Sequence, residues 1–350
     1  MPKIDATLNG LDADVGEYAR RAEELGFDGL WCPEQDDDPF LPLPIAADRT
    51  EDIEFGTRIA TAFTRSPMVL AYVGWNLARF SGGRFRLGLG TQVQAHNERR
   101  FSVEWADPNQ QLREVVESIR HIWDYWQGEV EEFGYDGEYY SFSLMTTVFN
   151  PGPIEQPDSE GRSGASPSNI PIYLAAVNEQ NVRLAGELAD GLCLHSFNTP
   201  KYTEGRILPW LEDSAEEHGR SLDDVTVSAS PFVITGEDAA TMDARREMVR
   251  MRIAFYGSTP AYKPVMATHG WADTGRELWE LSKEGKWGEM TELVTDEMVA
   301  EFAVEAPLDG IADAVRREYD GVADRVLIDV EGGFEDQDYW QAIVEDWHAG

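Results

Sequence analysis

Short segments suited to strands recur along this chain, and between most of them lies a stretch with the spacing of an amphipathic helix. The strand candidates begin at Ile4, Gly29, Ile53, Arg84, Ile172, Gly191, Val225 and Arg325. Helical spacing fills intervals 12–25, 67–80, 108–127, 179–189, 200–218 and 308–319. Alternation of this kind argues for parallel strands joined by helical crossovers, and eight such strands close into a (β/α)8 TIM barrel. Two intervals break the rhythm. Residues 128–170, with a Pro/Ser/Gly run near 156–169 that reads as partly mobile, form an insertion after strand four, and residues 236–306 form another after strand seven. Barrels of this type use ~250 residues or more as one unit, so residues 1–350 read as a single domain.

The formal net charge of −36 sets lysine and arginine, 29 in all, against 65 acidic side chains, which excludes nucleic acid and anionic membrane as partners. The acids are spread over helical faces rather than gathered in a tail, and this surface on a core with 11 Trp, 12 Tyr and 15 Phe predicts adaptation to high salt, hence a halophilic host. Cys32 and Cys193 have no zinc or disulfide spacing. The opening residues MPKIDATLNG hold no apolar signal core, and no apolar run reaches the ~18 residues of a membrane span, so the expectation is a cytoplasmic protein.

A barrel of this kind carries its active site at the C-terminal strand ends. That geometry selects Glu34 and Gln35 after strand two, Ala62 and Phe63 at strand three, Thr91 to His96 after strand four, Asn178 after strand five and His195 at the end of strand six. In SGGRFRLGLGTQVQAH (81–96), Phe85, Leu87 and Leu89 share one face and Gly88 and Gly90 the other. The bare face suits either a flat ligand or a bend of the strand, and the residues alone leave both open. The third glycine of a dinucleotide fingerprint is missing. His195 shares parity with Gly191 and Cys193, which turns it toward the barrel interior. No H-E-x-x-H, metal-ligand spacing, P-loop or G-x-S-x-G is present.

PEQDDDPFLPL (33–43), ATAFTRSPMVLAY (60–72), SGGRFRLGLGTQVQAHNERRFS (81–102), LAGELADGLCLHSFNTPKY (184–202) and IAFYGSTPAYKPV (253–265) resemble the luciferase-like monooxygenase superfamily, in particular its branch of oxidoreductases that use the deazaflavin coenzyme F-420, with a haloarchaeal source expected from the charge. The resemblance implies hydride transfer between F-420 and a small organic substrate, in a homo-oligomer, a dimer by analogy. It also implies a bulge at the end of strand three with a non-prolyl cis peptide between Ala62 and Phe63, and approach of Glu34 and Gln35 to the ring. Gly90, Thr91 and Gln92 would lie along the coenzyme, and the amides of Ala176, Val177, Asn178 and Glu179 would hold its phosphate. A helix N-terminus suits an anion on physical grounds as well. The chain departs from the branch at Asp37, where histidine is common, and at Ala176-Val177-Asn178, where several members are richer in glycine. The alternatives are FMN in place of F-420 with oxygen chemistry, an F-420-dependent methylene-tetrahydropterin reductase, and a barrel that binds coenzyme without catalysis. For catalysis His195 and Glu34 are the candidates to exchange a proton with the substrate, His195 first because of its parity.

Overall fold

The computed structural model describes residues 1–11, 14–155, 169–328 and 337–349. The run expected to be mobile therefore lies largely outside the described residues.

Eight parallel strands close on themselves: β1 (Lys3–Thr7), β2 (Gly29–Cys32), β3 (Glu54–Thr57), β4 (Phe85–Gly90), β5 (Ile172–Ala176), β6 (Gly191–Leu194), β7 (Thr226–Ala229) and β8 (Arg325–Leu327). Each pairs with its neighbour in chain order, and β8 returns to β1. The structure is the TIM barrel that the alternation predicts, and each strand starts within a residue of where the sequence puts it.

Outward positions such as Leu30, Phe55, Leu87, Leu174, Leu192 and Val326 are fully buried under the surrounding helices. The helices meet them with one face: Pro108–Gln127 buries Leu112, Val115, Val116, Ile119, Ile122, Trp123 and Trp126. Its start is capped by Asp107, which accepts N–H bonds from Asn109 and Gln110, and its end by Gly128 in the left-handed region at φ 83°. Inward positions form a separate cluster of Trp31, Tyr173, Cys193 and Leu327, with Ile59 and Ala175 against it.

At the N-terminal end of the interior Asp5 accepts from Arg325 Nε at 2.8 Å, from Arg325 Nη2 at 2.6 Å and from Trp31 Nε1 at 2.8 Å. Arg325 Nη1 also meets Glu54, which is bonded in turn by Arg86 and Lys3, each at 3.0 Å. Burial would push the Glu54 carboxyl up, but Arg325, Arg86 and Lys3 outweigh it and hold it down at about 2.

Three departures matter for the site. The segment 53–63, which reads as one strand, is broken: β3 ends at Thr57, the Arg58–Ile59 peptide is cis, and the chain rejoins β4 as Ala60–Thr61. The register with β4 slips by one residue between Gly56↔Arg86 and Ala60↔Leu89, which is a bulge on the β3 side. The cis bond expected between Ala62 and Phe63 is therefore four residues earlier, and those two residues open a 3-10 turn, Ala62–Thr64. The run 53–63 reads as one strand, and its local pattern does not place the bulge at Arg58. Segment 225–234 is likewise split. Pro231 has no N–H for a ladder, β7 stops at Ala229, and Phe232–Ile234 pairs with Ala303–Glu305 in a small parallel sheet outside the barrel. The excursion between these strands is mostly helical, beginning with Ala239–Gly257 and ending with Asp296–Phe302. Finally, outside the second insertion three helices without a sequence assignment are present among the described residues: Leu43–Arg49, Gln94–Arg99 and Gln337–Ala349, the last burying Trp340, Ile343, Val344 and Trp347.

Candidate active site

His195 follows directly on β6 and is partly buried. Its Nδ1 accepts the Phe197 N–H at 2.9 Å, which leaves the proton of the neutral ring on Nε2. Two aromatic rings from the second insertion enclose the imidazole: Tyr256 edge-on at 4.7 Å and Tyr262 tilted at 4.8 Å. Burial, and then the positive charge of Arg58, push the histidine down to about 4, so it is neutral across the physiological range. A cleft beside it is lined by Ser196, Asn198, Thr203 and Ser230.

Arg58, just after β3, reaches across the interior to the opposite wall. Nη1 donates to Ser228 Oγ at 2.7 Å, and Nη2 donates to the carbonyls of Leu194 and Ser228, both at 3.1 Å. The Leu194 carbonyl belongs to the peptide that leads into His195, so the guanidinium and the imidazole are set side by side. The sequence reading missed Arg58. Its signal was a lone charge within an otherwise uncharged strand-like run, Phe55 to Phe63.

Glu34 is tied down. Its Oε2 accepts the Thr61 N–H at 2.6 Å and Arg65 Nη1 at 3.0 Å, and its Oε1 accepts Arg65 Nη2 at 3.1 Å. Arg65 also bonds Asp38 at 2.8 Å, and the Glu34 side chain is 6% exposed. This bidentate pair locks the loop after β2 to the turn after the bulge. Gln35 is exposed, and its carbonyl accepts from Arg100, which joins the same loop to the one after β4.

The glycines of β4 are explained by neighbouring chain. A Cβ on Gly88 would stand 1.9 Å from the Thr57 carbonyl oxygen, and one on Gly90 would stand 2.9 Å from Ile59 Cδ1. Gly88 is fixed further by Thr57, whose Oγ1 donates to its carbonyl at 2.6 Å and accepts its N–H at 2.9 Å. The bulged neighbouring strand fills the space beside both glycines. After Gly90, Thr91 and Gln92 are partly exposed, with Gln92 at φ 55°, and buried Asn97 donates to the Thr91 and Val93 carbonyls. Ala62 and Phe63 are buried, the latter edge-on to Trp105.

At β5, Ala176 and Val177 lead into Asn178, whose Oδ1 accepts the Asn181 N–H at 3.0 Å and caps the helix Glu179–Leu188. The turn is held by Tyr202, whose hydroxyl donates to the Val177 carbonyl at 3.0 Å. The helix N-terminus thus lies at the strand-end face, with Asn178 and Glu179 exposed. The structure gathers His195, Glu34 and all the expected coenzyme residues at this one end, on five different strands.

The profile of the luciferase-like monooxygenase family matches residues 9–325. The chain belongs to this family. An uncharacterised protein of Mycobacterium tuberculosis is 41% identical over 326 residues, covering 93% of this chain and 92% of the relative. A 5,10-methylenetetrahydromethanopterin reductase of Archaeoglobus fulgidus is 28% identical over 309 residues, 85% of this chain and 83% of that one. Among solved structures, the coenzyme F420-dependent tetrahydromethanopterin reductase of Methanopyrus kandleri superposes with a TM-score of 0.76 over 99% of both chains at 23% identity, a likeness of fold. Among the described residues no helix is long and apolar enough to cross a membrane.

A polar coenzyme suits the face observed. Thr61 Oγ1 and Asn97 Oδ1, both buried on the elements around the bulge and the β4 loop, have no hydrogen-bond partner among the described residues. Buried polar atoms rarely remain unpaired, so they mark places where a ligand or water completes the bonding.

Proposed function

We propose that this chain is an oxidoreductase that uses coenzyme F-420 to transfer a hydride to or from a small organic substrate at the C-terminal end of the barrel. The observation that carries the reading is His195: a neutral imidazole, with its tautomer fixed by the Phe197 N–H, beside a strand-end face that offers a helix N-terminus and unpaired buried acceptors. The deazaflavin supplies a two-electron hydride carrier that does not activate oxygen. Gln35, Ala62, Phe63, Gly90, Thr91 and Gln92 would bound its ring, and the amides from Ala176 to Glu179 would hold its phosphate. His195 Nε2–H would hydrogen-bond the substrate where charge changes during transfer. Glu34, with both oxygens engaged by Arg65, orders the loop that borders the ring rather than moving a proton.

Titration of the purified protein with F-420 and with FMN, followed by fluorescence quenching, tests the coenzyme. Tighter binding of F-420 is the expected outcome, and preference for FMN with oxygen consumption would replace this reading by a monooxygenase. The similarity to the Archaeoglobus protein favours a second, narrower reading, a methylene-tetrahydropterin reductase. It is tested by oxidation of reduced F-420 with a methylene-tetrahydropterin in a panel that also contains simple ketones and aldehydes. A homodimer and a cytoplasmic setting belong to the same proposal. Adaptation to salt rests on the charge of −36 alone, and the relatives named above lend it no support.

A further inference from the structure

The cations inside this barrel are treated unequally. Arg325 and Arg86 meet carboxylates, as does Arg65 at the rim. Arg58, which crosses the interior at its catalytic end, has no carboxylate partner among the described residues. A guanidinium carries five N–H groups. Three are used, by Ser228 Oγ, the Ser228 carbonyl and the Leu194 carbonyl. The remaining donors have no oxygen acceptor among the described residues, and the Cys193 thiol lying against the group is a weak acceptor. Arg58 as a residue is only partly buried.

A second observation lies on the same wall. Thr61 pairs in register with Gly90, and a side chain at Gly90 would meet Ala175, which packs on the inward cluster. Register partners on adjacent parallel strands share a face, so Thr61 also looks inward. Its hydroxyl is the buried one without a partner, and the residue is 1% exposed. Trp31 is inward and pairs with Thr7, whose Oγ1 is likewise unpartnered. By register, Thr61 and Thr7 thus face the same interior that Arg58 crosses, at the end where His195 follows β6. Donors without an anion, inside a chain of net charge −36, are an arrangement that a bound anion completes.

We propose that Arg58, with Thr61 and His195 around it, is an anion subsite at the barrel axis that takes a single carboxylate or comparable oxyanion of the substrate. The subsite does not depend on which coenzyme the protein uses, and its test leaves the coenzyme out. Protein labelled at histidine Cε1 is titrated with sodium formate at pH 7.5 and constant ionic strength, and the His195 resonance is assigned by its loss in His195→Gln. In the natural chain this resonance should shift saturably. The shift should vanish in Arg58→Met, and its midpoint should rise at least about tenfold in Arg58→Lys, because a lysine keeps the charge but loses the planar fork. No saturable shift in the natural chain overturns the proposal, as does a shift of equal midpoint in either Arg58 variant. If Arg58→Met does not fold by circular dichroism, Arg58→Lys decides the case alone. A formate site without F-420 affinity would leave the subsite standing and remove the coenzyme reading, and the reverse result would do the opposite.

Discussion

At the N-terminal end of the barrel Arg325 meets Asp5 through two nitrogens and Glu54 through a third, and Arg86 and Lys3 complete the set. At the C-terminal end Arg58 spans the same interior and finds one hydroxyl and two carbonyls. Both ends bury charge, which is costly unless geometry and hydrogen bonding are good. The first end closes its charges on one another and so serves stability. The second leaves donors and acceptors over, and so has bonding capacity for something that is not protein.

That contrast can be broken at its closed end first. Arg325→Met leaves Asp5 buried without its cation and Glu54 with only Arg86 and Lys3, and should cost about 3–5 kcal/mol of unfolding free energy by urea denaturation. A loss below about 1 kcal/mol would mean that the network is a passenger. The acid response separates the ends next. Glu54 titrates at about 2 in the fold against 4.5 ordinarily, so the unfolded chain takes up its proton first as pH falls. The stabilisation, of order 3 kcal/mol, is complete above pH 4.5 and fades toward pH 2. His195, at about 4 against 6.5, gives the same sign in a higher window, with stability falling from pH 6.5 to 4. Glu54→Gln should flatten only the lower limb of stability against pH, and His195→Gln only the upper.

Function is the next lever. With a substrate from the screen, His195→Ala should lower turnover by about a factor of 100 while F-420 affinity stays nearly constant. Loss of coenzyme binding instead would make this residue a coenzyme contact. Glu34→Gln keeps the shape but weakens the grip on Arg65. It should cost about 1–2 kcal/mol of stability and reduce F-420 affinity more than turnover at saturation. A large loss of turnover at saturation would restore Glu34 as the proton partner. The smallest effect per residue lies on the surface, where exposed pairs contribute about 0–1 kcal/mol each. Summed repulsion from −36 should nonetheless raise the melting temperature from low to molar KCl, and a flat response would end the salt-adaptation reading.

The frame of the barrel was legible because alternation repeats: each strand is a short apolar run closed by a polar turn, and each helix has its own period. The failures are local and share a cause. Residues 53–63 read as one strand, and the bulge at Arg58 is imposed by pairing with β4, which no local pattern encodes. Pro231 did signal the end of β7 and was passed over within an otherwise strand-like run. Gly88 and Gly90 could be read two ways, and the Thr57 backbone and Ile59 that crowd them lie on the adjacent strand, which a local pattern does not show. For the site, strand-end position and parity singled out His195, which follows directly on β6. The partners of these residues come from far along the chain, Tyr256 and Tyr262 for His195 and Arg65 for Glu34, and a single sequence does not record such distances.

The two tyrosines beside His195 come from the excursion between β7 and β8, whereas the surfaces assigned to the coenzyme come from β2 to β5. That excursion is anchored by its own small sheet, Phe232–Ile234 with Ala303–Glu305, outside the barrel hydrogen-bond ladder. On the proposed reading, selectivity and coenzyme use would fall on separable pieces of chain, and substitutions in the excursion would retune which molecule meets the imidazole while the register of the barrel stays intact.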